Sequence, residues 1–499
     1  GIRESSSPFK GELTRWDTTI IGDGLYSLQL IVTDENSYTS EDMVQIVVDN
    51  TQPVVKLTEP ASESIQTGEI EIKGSISDDN LELYTIEFAP GANPSSGWEF
   101  LGEAGREKSI NRSWSTTGLN GLYSLRITAR DRSKSTPNTA SLLRTITLDN
   151  IAAEADIVFP EEGTFVTGTV AITGTASDIN FKRYEIQIGS GAVPANWETL
   201  TENTAPRKAN VLFTWESGDL EGEYTLKLIV EDLIHDQVEQ IRHVTVDNTF
   251  PRAEITVPEP DAIVNGNLKI IGTATDNYFD TYELYLTDGT NLVEADDWQS
   301  IGGVSVTPID NGTLRQFATT TVDDGIYSFR LKVTDKVGQV STVRRTITID
   351  NTPPQVTLQS PTQNQVISQT VEIIGIVSDA NLEQVQVFFR QSGNWRSVAT
   401  VQGTTVGNQL AKWDTASLKD GEYHLKLVAT DRSGQPPTEL TRSVIVDNTP
   451  PQAEISRPRN NDQVGQVVML FGTATDANFK SYQVEFGEGD SPTATGRAT

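Results

Sequence analysis

Apolar and polar residues alternate over short runs along the whole chain, which is the pattern of β-strands with one buried face. Within residues 151–248 the runs occur at 155–159, 170–176, 184–188, 211–215, 224–230 and 244–246. Turns rich in Gly, Pro, Asp and Asn separate the runs every 8–15 residues or so, and no stretch has helical periodicity. The pattern predicts about seven short strands in this segment and an all-β fold.

Three sequence markers recur in phase along the chain. An Asp-Asn pair follows a strand-like run at Asp49-Asn50, Asp149-Asn150, Asp247-Asn248, Asp350-Asn351 and Asp447-Asn448, with spacings of 100, 98, 103 and 97 residues. A Gly-x-Tyr marker recurs at Tyr26, Tyr123, Tyr224, Tyr327 and Tyr423. A Gly-x-x-x-Asp marker recurs at Gly74/Asp78, Gly174/Asp178, Gly272/Asp276, Gly375/Asp379 and Gly472/Asp476. A period of about 100 residues is too long for a solenoid unit and fits a tandem array of immunoglobulin-like β-sandwiches, with strands lettered A to G.

The markers predict four complete domains and two halves. The complete domains are 51–150, 151–248, 249–351 and 352–448, while 1–50 is a second half (strands E–G) and 449–499 a first half (strands A–C). Joining the two ends restores one repeat. Two explanations stay open: the sequence is an excerpt of a longer array, or chains polymerise head to tail by completing split domains.

Particular blocks resemble bacterial Ig-like repeats, which are cadherin-like or fibronectin-like in arrangement. The blocks are Trp413-Asp-Thr, Asp420-Gly-Glu-Tyr423 and Val446-Asp-Asn-Thr-Pro-Pro451. The resemblance implies a segment of a large secreted or cell-surface protein of a bacterium or archaeon. In such a fold Tyr26 and its four counterparts are expected to form a tyrosine corner at the start of strand F.

Composition narrows the classes of function. Asp and Glu number 69 against 38 Lys and Arg, a net charge of −31, which argues against binding nucleic acid or an anionic membrane surface. No apolar run approaches the ~20 residues that a membrane span needs, so we expect no membrane insertion in this segment. There is no cysteine, and the three histidines form no catalytic or metal motif, so we expect no enzyme activity.

Recurring acids predict calcium sites at the domain junctions. They lie in the linker, in the B–C loop and at the end of strand F, where an Ig-like fold brings them to one end of the domain. The layout is similar to the calcium cages between cadherin repeats, although this linker has one acid fewer, and calcium prefers six to eight oxygen ligands. The candidate ligands are Asp49, Asp78, Asp131, Asp149, Asp178, Asp232, Asp247, Asp276, Asp335, Asp350, Asp379 and Asp431. The alternative is that these residues only cap their loops through Asx-turns.

Two tryptophan series are also in register with the repeat. Trp16, Trp114, Trp215 and Trp413, with Phe317 in their place once, are expected in the core on strand E. Trp98, Trp197, Trp298 and Trp395 follow strand C, and either fold back over their own sandwich or form a platform for sugars.

These observations favour a structural component of an extracellular fibre, filament or stalk. The expected partners are copies of the chain, in head-to-tail assembly, or neighbouring domains of a longer chain. Two other interpretations remain: an adhesin or glycan-binding module, and the spacer array of a larger surface hydrolase.

Overall fold

The computed structural model describes residues 4–133, 136–235, 237–289, 298–403, 405–489 and 496–497. Within these residues the regular structure is β-strand except for one short 3₁₀ turn, Thr319–Thr321. The chain divides into two compact units, Gly1–Thr249 and Phe250–Thr499. The all-β fold with repeating sandwiches of roughly 100 residues is therefore confirmed. No described helix is long and apolar enough to cross a membrane.

Each complete repeat folds into two sheets, as repeat 2 (151–248) shows. Its strands A, A′, B, C, C′, E, F and G are Glu154–Phe159, Thr164–Val166, Thr169–Ser177, Phe181–Ser190, Glu198–Asn203, Arg207–Glu216, Gly222–Asp232 and Val238–Val246. One sheet has the order A-B-E and the other A′-G-F-C-C′. Strand A′ pairs parallel to strand G, and the remaining pairs are antiparallel.

The other complete repeats have the same strand order and the same two sheets. In repeat 1 (51–150) the strands are Val54–Glu59, Ile65–Gln66, Glu69–Ser77, Leu81–Pro90, Glu99–Ala104, Ser109–Ser115, Gly121–Asp131 and Thr139–Leu148. In repeat 3 (249–351) they are Arg252–Val257, Ala262–Val264, Asn267–Thr275, Phe279–Asp288, Gln299–Ser300, Ile309–Ala318, Gly325–Asp335 and Val340–Ile349. In repeat 4 (352–448) they are Gln355–Ser360, Gln365–Ile367, Thr370–Ser378, Leu382–Arg390, Arg396–Gln402, Thr405–Asp414, Gly421–Asp431 and Thr438–Val446.

The core of each complete repeat lies between its two sheets. The strand-E tryptophans Trp114, Trp215 and Trp413 are buried in three separate apolar clusters, as the alternation predicts. A buried tyrosine on strand C also links the sheets: the Tyr184 hydroxyl donates to the Leu212 carbonyl at 2.7 Å. Tyr84 and Tyr282 donate likewise to the carbonyls of Ser109 and Leu314. The tyrosine corner is present in the first half-repeat, where the Tyr26 hydroxyl donates to the Gly22 carbonyl at 2.9 Å.

The two half-repeats form only some of the strands of a complete repeat and lack its burial. Residues 1–50 form the strand F–G pair Gly24–Thr33 and Thr39–Val48, and residues 449–499 contain Gln452–Arg457, Phe471–Thr475, Glu485–Phe486 and Gly496–Arg497. Leu30 is 44% exposed, whereas its counterpart Leu228 in repeat 2 is fully buried. Leu470 is 48% exposed, whereas its counterpart Ile172 is fully buried. Both half-repeats thus present apolar faces that a complete repeat covers with its other half.

The prediction of a strand E around Trp16 was wrong. Residues near Trp16 form no strand, because strand B, on which strand E pairs elsewhere, does not occur in this half-repeat. Trp16 instead packs edge-on against Tyr26, with ring centroids 5.8 Å apart.

Candidate metal sites at the repeat junctions

Three loops bring carboxylates to the start of repeats 1, 2 and 4. The linker acid follows strand G of the preceding repeat, the second acid follows strand B, and the third is the last residue of strand F. Among the residues that the structure describes, two groups with His or acidic ligand atoms within 4.8 Å of one another stand at these places. They are Asp149, Asp232 and His235 at the junction of repeats 1 and 2, and Asp350, Asp379 and Asp431 at the junction of repeats 3 and 4.

At the junction of repeats 3 and 4, hydrogen bonds fix the carboxylates in place. The Asn381 side-chain amide donates to Asp350 Oδ2 at 2.7 Å, and the Asn381 backbone N–H donates to Asp379 Oδ1 at 2.7 Å. The Ser433 N–H and hydroxyl both donate to Asp431 Oδ1, at 2.8 and 2.7 Å. Asn381 therefore links Asp350 to Asp379 in this oxygen-lined cluster, while Asp431 is held by its own loop.

The second oxygen of Asp431 distinguishes this cluster. Asp431 is 3% exposed, and its Oδ2 is buried without a hydrogen-bond partner among the described residues. A buried carboxylate oxygen that accepts no hydrogen bond costs several kcal/mol unless a cation, a water molecule or a proton binds it. Burial, with further contributions from the charges of Asp350 and Asp431, raises the pKa of Asp379 above its ordinary value. The cluster therefore has a deficit of positive charge.

A pocket of about 630 Å³ opens onto Asp350 and Asp379 of this cluster, while Asp431 does not line it. Its lining includes Asp324, Asp350, Asp379 and Asn381. Asp324, at the E–F corner, accepts from the Asn351 N–H at 2.8 Å and from the Thr352 hydroxyl at 2.5 Å, so it holds the linker in place.

At the junction of repeats 1 and 2 a histidine joins the acids. His235 Nδ1 lies 3.0 Å from Asp232 Oδ2 and 3.9 Å from Asp149 Oδ2. Both carboxylate side chains are fully buried. Burial and the charges of Asp149 and Asp232 raise the pKa of Asp178. Burial alone would raise the pKa of Asp232, but hydrogen bonds from the His235 and Ile234 N–H groups and from the His235 ring lower it below its ordinary value.

The other predicted ligands are held by amides or by their own loops. At the start of repeat 1, Asn80 Nδ2 donates to Asp49 Oδ2 at 2.7 Å, and Asn138 Nδ2 donates to Asp131 Oδ2 at 2.7 Å. Asp78 accepts from the Asn80 N–H. The remaining three accept from backbone N–H groups: Asp247 from Thr249, Asp276 from Tyr278, and Asp335 from Val337 and Gln339.

Loop capping and metal binding do not exclude each other at these residues. In Asp431, Oδ1 caps the loop as an Asx-turn predicts, while Oδ2 remains for another partner. One side chain can therefore serve both hypotheses, with a different oxygen for each.

The asparagine of each Asp-Asn pair serves its own repeat. Asn150 Nδ2 donates to the carbonyls of Thr116 and Leu119 at 3.0 and 2.6 Å, and Asn150 Oδ1 accepts from the Gly68 N–H at 2.8 Å. Asn248 makes equivalent bonds to Ser217, Leu220 and Gly168. This side chain ties the E–F loop and the A′–B turn to the end of strand G.

We expect Asn150→Ala to destabilise repeat 1 by about 2–3 kcal/mol, because three half-buried hydrogen bonds are lost and their backbone partners are left unpaired. Hydrogen exchange of peptides from the E–F loop of repeat 1 would measure the loss. Asn36→Ala, at an exposed turn, is the control and should change stability by less than about 0.5 kcal/mol. Unchanged exchange at the E–F loop in Asn150→Ala would contradict the assignment.

The second tryptophan series folds back onto its own sandwich. The Arg126 guanidinium lies 4.0 Å from the Trp98 ring centroid, and the Lys227 ammonium lies 4.2 Å from that of Trp197. Trp298 and Trp395 are covered likewise by Arg330 and Arg390. A strand-F or strand-C cation thus occupies one face of each half-buried ring, which favours a structural role.

One family model matches part of the array. Residues 354–427, most of repeat 4, match the family described as Bacterial Ig domain. The three other complete repeats have the same two sheets as this matched segment, so the chain is a tandem array of Ig-like sandwiches. Bacterial Ig domains are usually extracellular or on the cell surface, and Ig-like repeat arrays are typically non-catalytic.

Curated relatives of the Ig-like array come from mammals. The chain is 24% identical over 438 residues to the mouse dyslexia-associated protein KIAA0319 homolog, and 24% identical over 436 residues to the rat homolog. Each alignment covers 82% of this chain and 37% of the relative. The chain thus spans about a third of the length of these relatives.

Two solved structures similar to the array cover most of their own length in the comparison. The tetra-tandem repeat in the extending region of a large adhesion protein is 19% identical, with a TM-score of 0.29, covering 78% of this chain and 100% of that one. The chicken CNTN1 FN1-FN3 domains are 15% identical, with a TM-score of 0.22, covering 58% of this chain and 96% of that one.

Proposed function

We propose that this chain is a structural segment of an extracellular or cell-surface stalk or fibre, whose repeat junctions are stiffened by calcium. The observation that carries the proposal is the buried, unpartnered Oδ2 of Asp431 within the all-oxygen cluster of Asp350 and Asp379. An ion held between the linker acid and two loops of the next repeat would couple neighbouring domains.

The chemistry of the cluster suits calcium. Calcium takes six to eight oxygen ligands at 2.3–2.6 Å, mostly carboxylates and carbonyls. Three carboxylates whose oxygens lie within 4.8 Å of one another fit around one such ion, and the adjacent pocket leaves room for water ligands. Binding would neutralise the charges that raise the pKa of Asp379.

Calcium added after chelation should raise the melting temperature of repeat 4 by roughly 10 °C, because a ligand at 100 times its dissociation constant stabilises the native state by about 2.7 kcal/mol. Asp431→Asn should abolish this shift. The same substitution should leave the calcium-free protein equally or more stable, because it removes one of three neighbouring like charges, two of which are buried. Calorimetry of the full chain with and without calcium measures both effects.

Asp280→Asn is the matched control, since Asp280 is an exposed strand-C acid of repeat 3 outside the cluster. It should retain the full calcium shift. A calcium shift of equal size in Asp431→Asn and in the unaltered chain would contradict the assignment of the site.

The exposed faces of the half-repeats support a second element of the proposal. Leu30 and Val32 of one half, and Val468 and Leu470 of the other, occupy positions that are buried in repeat 2. We propose that a complementary half covers each face, supplied by a second copy in head-to-tail assembly or by neighbouring domains of a longer chain. Substitutions on the two sides of strand F in the first half-repeat test this proposal.

A further inference from the structure

The junction of repeats 1 and 2 has a different donor set from the junction of repeats 3 and 4. Asp149 and Asp232 are equivalent to Asp350 and Asp431, but His235 Nδ1 stands between the first two carboxylates. The corresponding loop of repeat 4 has an amide instead, and Gln435 Nε2 donates to the Asp350 carbonyl at 3.1 Å. Of these two junctions, only the junction of repeats 1 and 2 therefore offers a nitrogen ligand.

Charge at the histidine-containing junction is not balanced by the protein. Asp149, Asp178 and Asp232 converge there, and no Lys or Arg nitrogen lies within 4 Å of their carboxylates in the part of the chain that the structure describes. One imidazole, even when protonated, offsets one of three negative charges. Asp149 and Asp232 are buried and Asp178 is half-buried, so a cation of higher charge than one imidazolium would stabilise the group.

The geometry favours a small ion with nitrogen affinity. In a tetrahedral zinc site with bonds of about 2.0–2.2 Å, two ligand atoms are separated by about 3.4 Å. His235 Nδ1 lies 3.0 Å from Asp232 Oδ2 and 3.9 Å from Asp149 Oδ2. One of these distances is shorter than the zinc value and the other is longer. Imidazole suits zinc and its neighbours in the transition series, whereas calcium selects oxygen.

We propose that Asp149, Asp232 and His235 form a site for a transition-metal dication of the zinc class, so that these two junctions of the array bind different ions. The inference rests on the proposed stiffening of junctions by metal ions and names the ion for this junction. Its support is the donor set and the two distances.

Neighbouring groups prepare each ligand for that role. The Ile234 and His235 N–H groups donate to Asp232 Oδ1, at 2.7 and 2.5 Å, so Oδ2 is the oxygen directed at the imidazole. Asn180 Nδ2 donates to Asp149 Oδ2 at 2.9 Å and orients that carboxylate. Binding requires that the proton of the ring stand on Nε2, which leaves the Nδ1 lone pair for the ion.

The test compares zinc binding by the full chain and by its His235→Asn variant. Both proteins are first treated with a chelator, and isothermal titration calorimetry then measures the dissociation constant for zinc. Asparagine keeps a polar atom near the position of Nδ1 but is a poor zinc ligand. We expect the dissociation constant of the zinc site to rise at least about 100-fold in this variant. His243→Asn is the control, because His243 pairs with the exposed Glu162 outside any junction, and it should bind zinc at the junction as the unaltered chain does.

A second measurement identifies the ligand directly. The chain has three histidines, so histidine-selective isotope labelling gives three imidazole signals, and one equivalent of zinc should shift that of His235. Equal zinc affinity in His235→Asn, or an unshifted His235 signal, would overturn the proposal. Neither outcome bears on the calcium-dependent melting temperature of repeat 4, which depends on Asp431 and is measured separately. If calcium did not raise that melting temperature while zinc still bound through His235, only the calcium proposal would be overturned.

Discussion

Gly174→Ala is expected to destabilise repeat 2 by at least about 3 kcal/mol. A Cβ atom at this position would lie 1.9 Å from the Asp156 carbonyl oxygen and 3.1 Å from the Ile157 Cα, both backbone atoms of strand A. Backbone cannot rotate away as a side chain can, so strand A must separate from strand B, and overpacking of this kind costs 1–3 kcal/mol or more. Hydrogen exchange of strand-A peptides, with repeat 1 as internal reference, measures the loss.

Gly218→Ala is the matched control. A Cβ at Gly218 would meet nothing within 4 Å, so the substitution should be close to neutral. Normal protection of strand A in Gly174→Ala would show that the close approach of the two strands is not required. The same contact recurs in the other repeats, where the Cβ would lie 2.3, 1.9, 2.3 and 2.1 Å from a strand-A carbonyl oxygen at Gly74, Gly272, Gly375 and Gly472.

Sequence periodicity predicted the architecture because one face of most strands is buried. Strands B, C, E, F and G of repeat 2 contain the alternating runs, and their apolar positions form the core. Strands A′ and C′ were not predicted. Thr164–Val166 has only three residues, and Glu198–Asn203 is a mostly polar edge strand, so neither has a period that sequence alone can reveal.

The sequence revealed the recurring glycine as a marker, but only the structure explains why glycine is required at that position. Periodicity places Gly174 on strand B, whereas the steric reason for it is the carbonyl of a residue 18 positions earlier. Likewise, in the sequence Tyr184 of strand C is not distinguishable from the other apolar positions of its strand. Its hydroxyl partner on strand E becomes visible only when the two sheets face each other.

The sequence predicted the aspartates of the candidate site, but it predicted neither the asparagine amides nor the histidine that contact them. Asp149, Asp178 and Asp232 recur at fixed places, so the period reveals them. Asn180 recurs two residues after the B–C loop acid in three other repeats, a signal that could have been used. His235 has no such signal, because its loop differs between repeats and only folding brings its ring to the carboxylates.

Leu30→Asp is expected to abolish head-to-tail assembly of the chain, if a second copy completes the half-repeats. Leu30 is 44% exposed on the face of strand F that is buried in complete repeats, where its counterpart Leu228 is fully covered. Covering such a face is worth about 25 cal/mol per Å² of apolar surface, and a buried aspartate without a partner cancels that gain. Sedimentation velocity over a range of concentrations, with electron micrographs of the same samples, measures assembly.

Leu25→Asp is the matched control for this substitution. Leu25 lies on the same strand, it is 65% exposed, and its counterparts Leu122 and Ile326 are still 44% and 47% exposed in the complete repeats 1 and 3. Both variants therefore carry the same substitution, and only Leu30 lies at a position that a complete repeat covers. Assembly that persists in Leu25→Asp and disappears in Leu30→Asp requires a contact on the inner face, as strand exchange between copies would provide. An unaltered chain that stays monomeric at every concentration would contradict completion by a second copy, and the inner faces would then have to be covered by neighbouring domains of a longer chain.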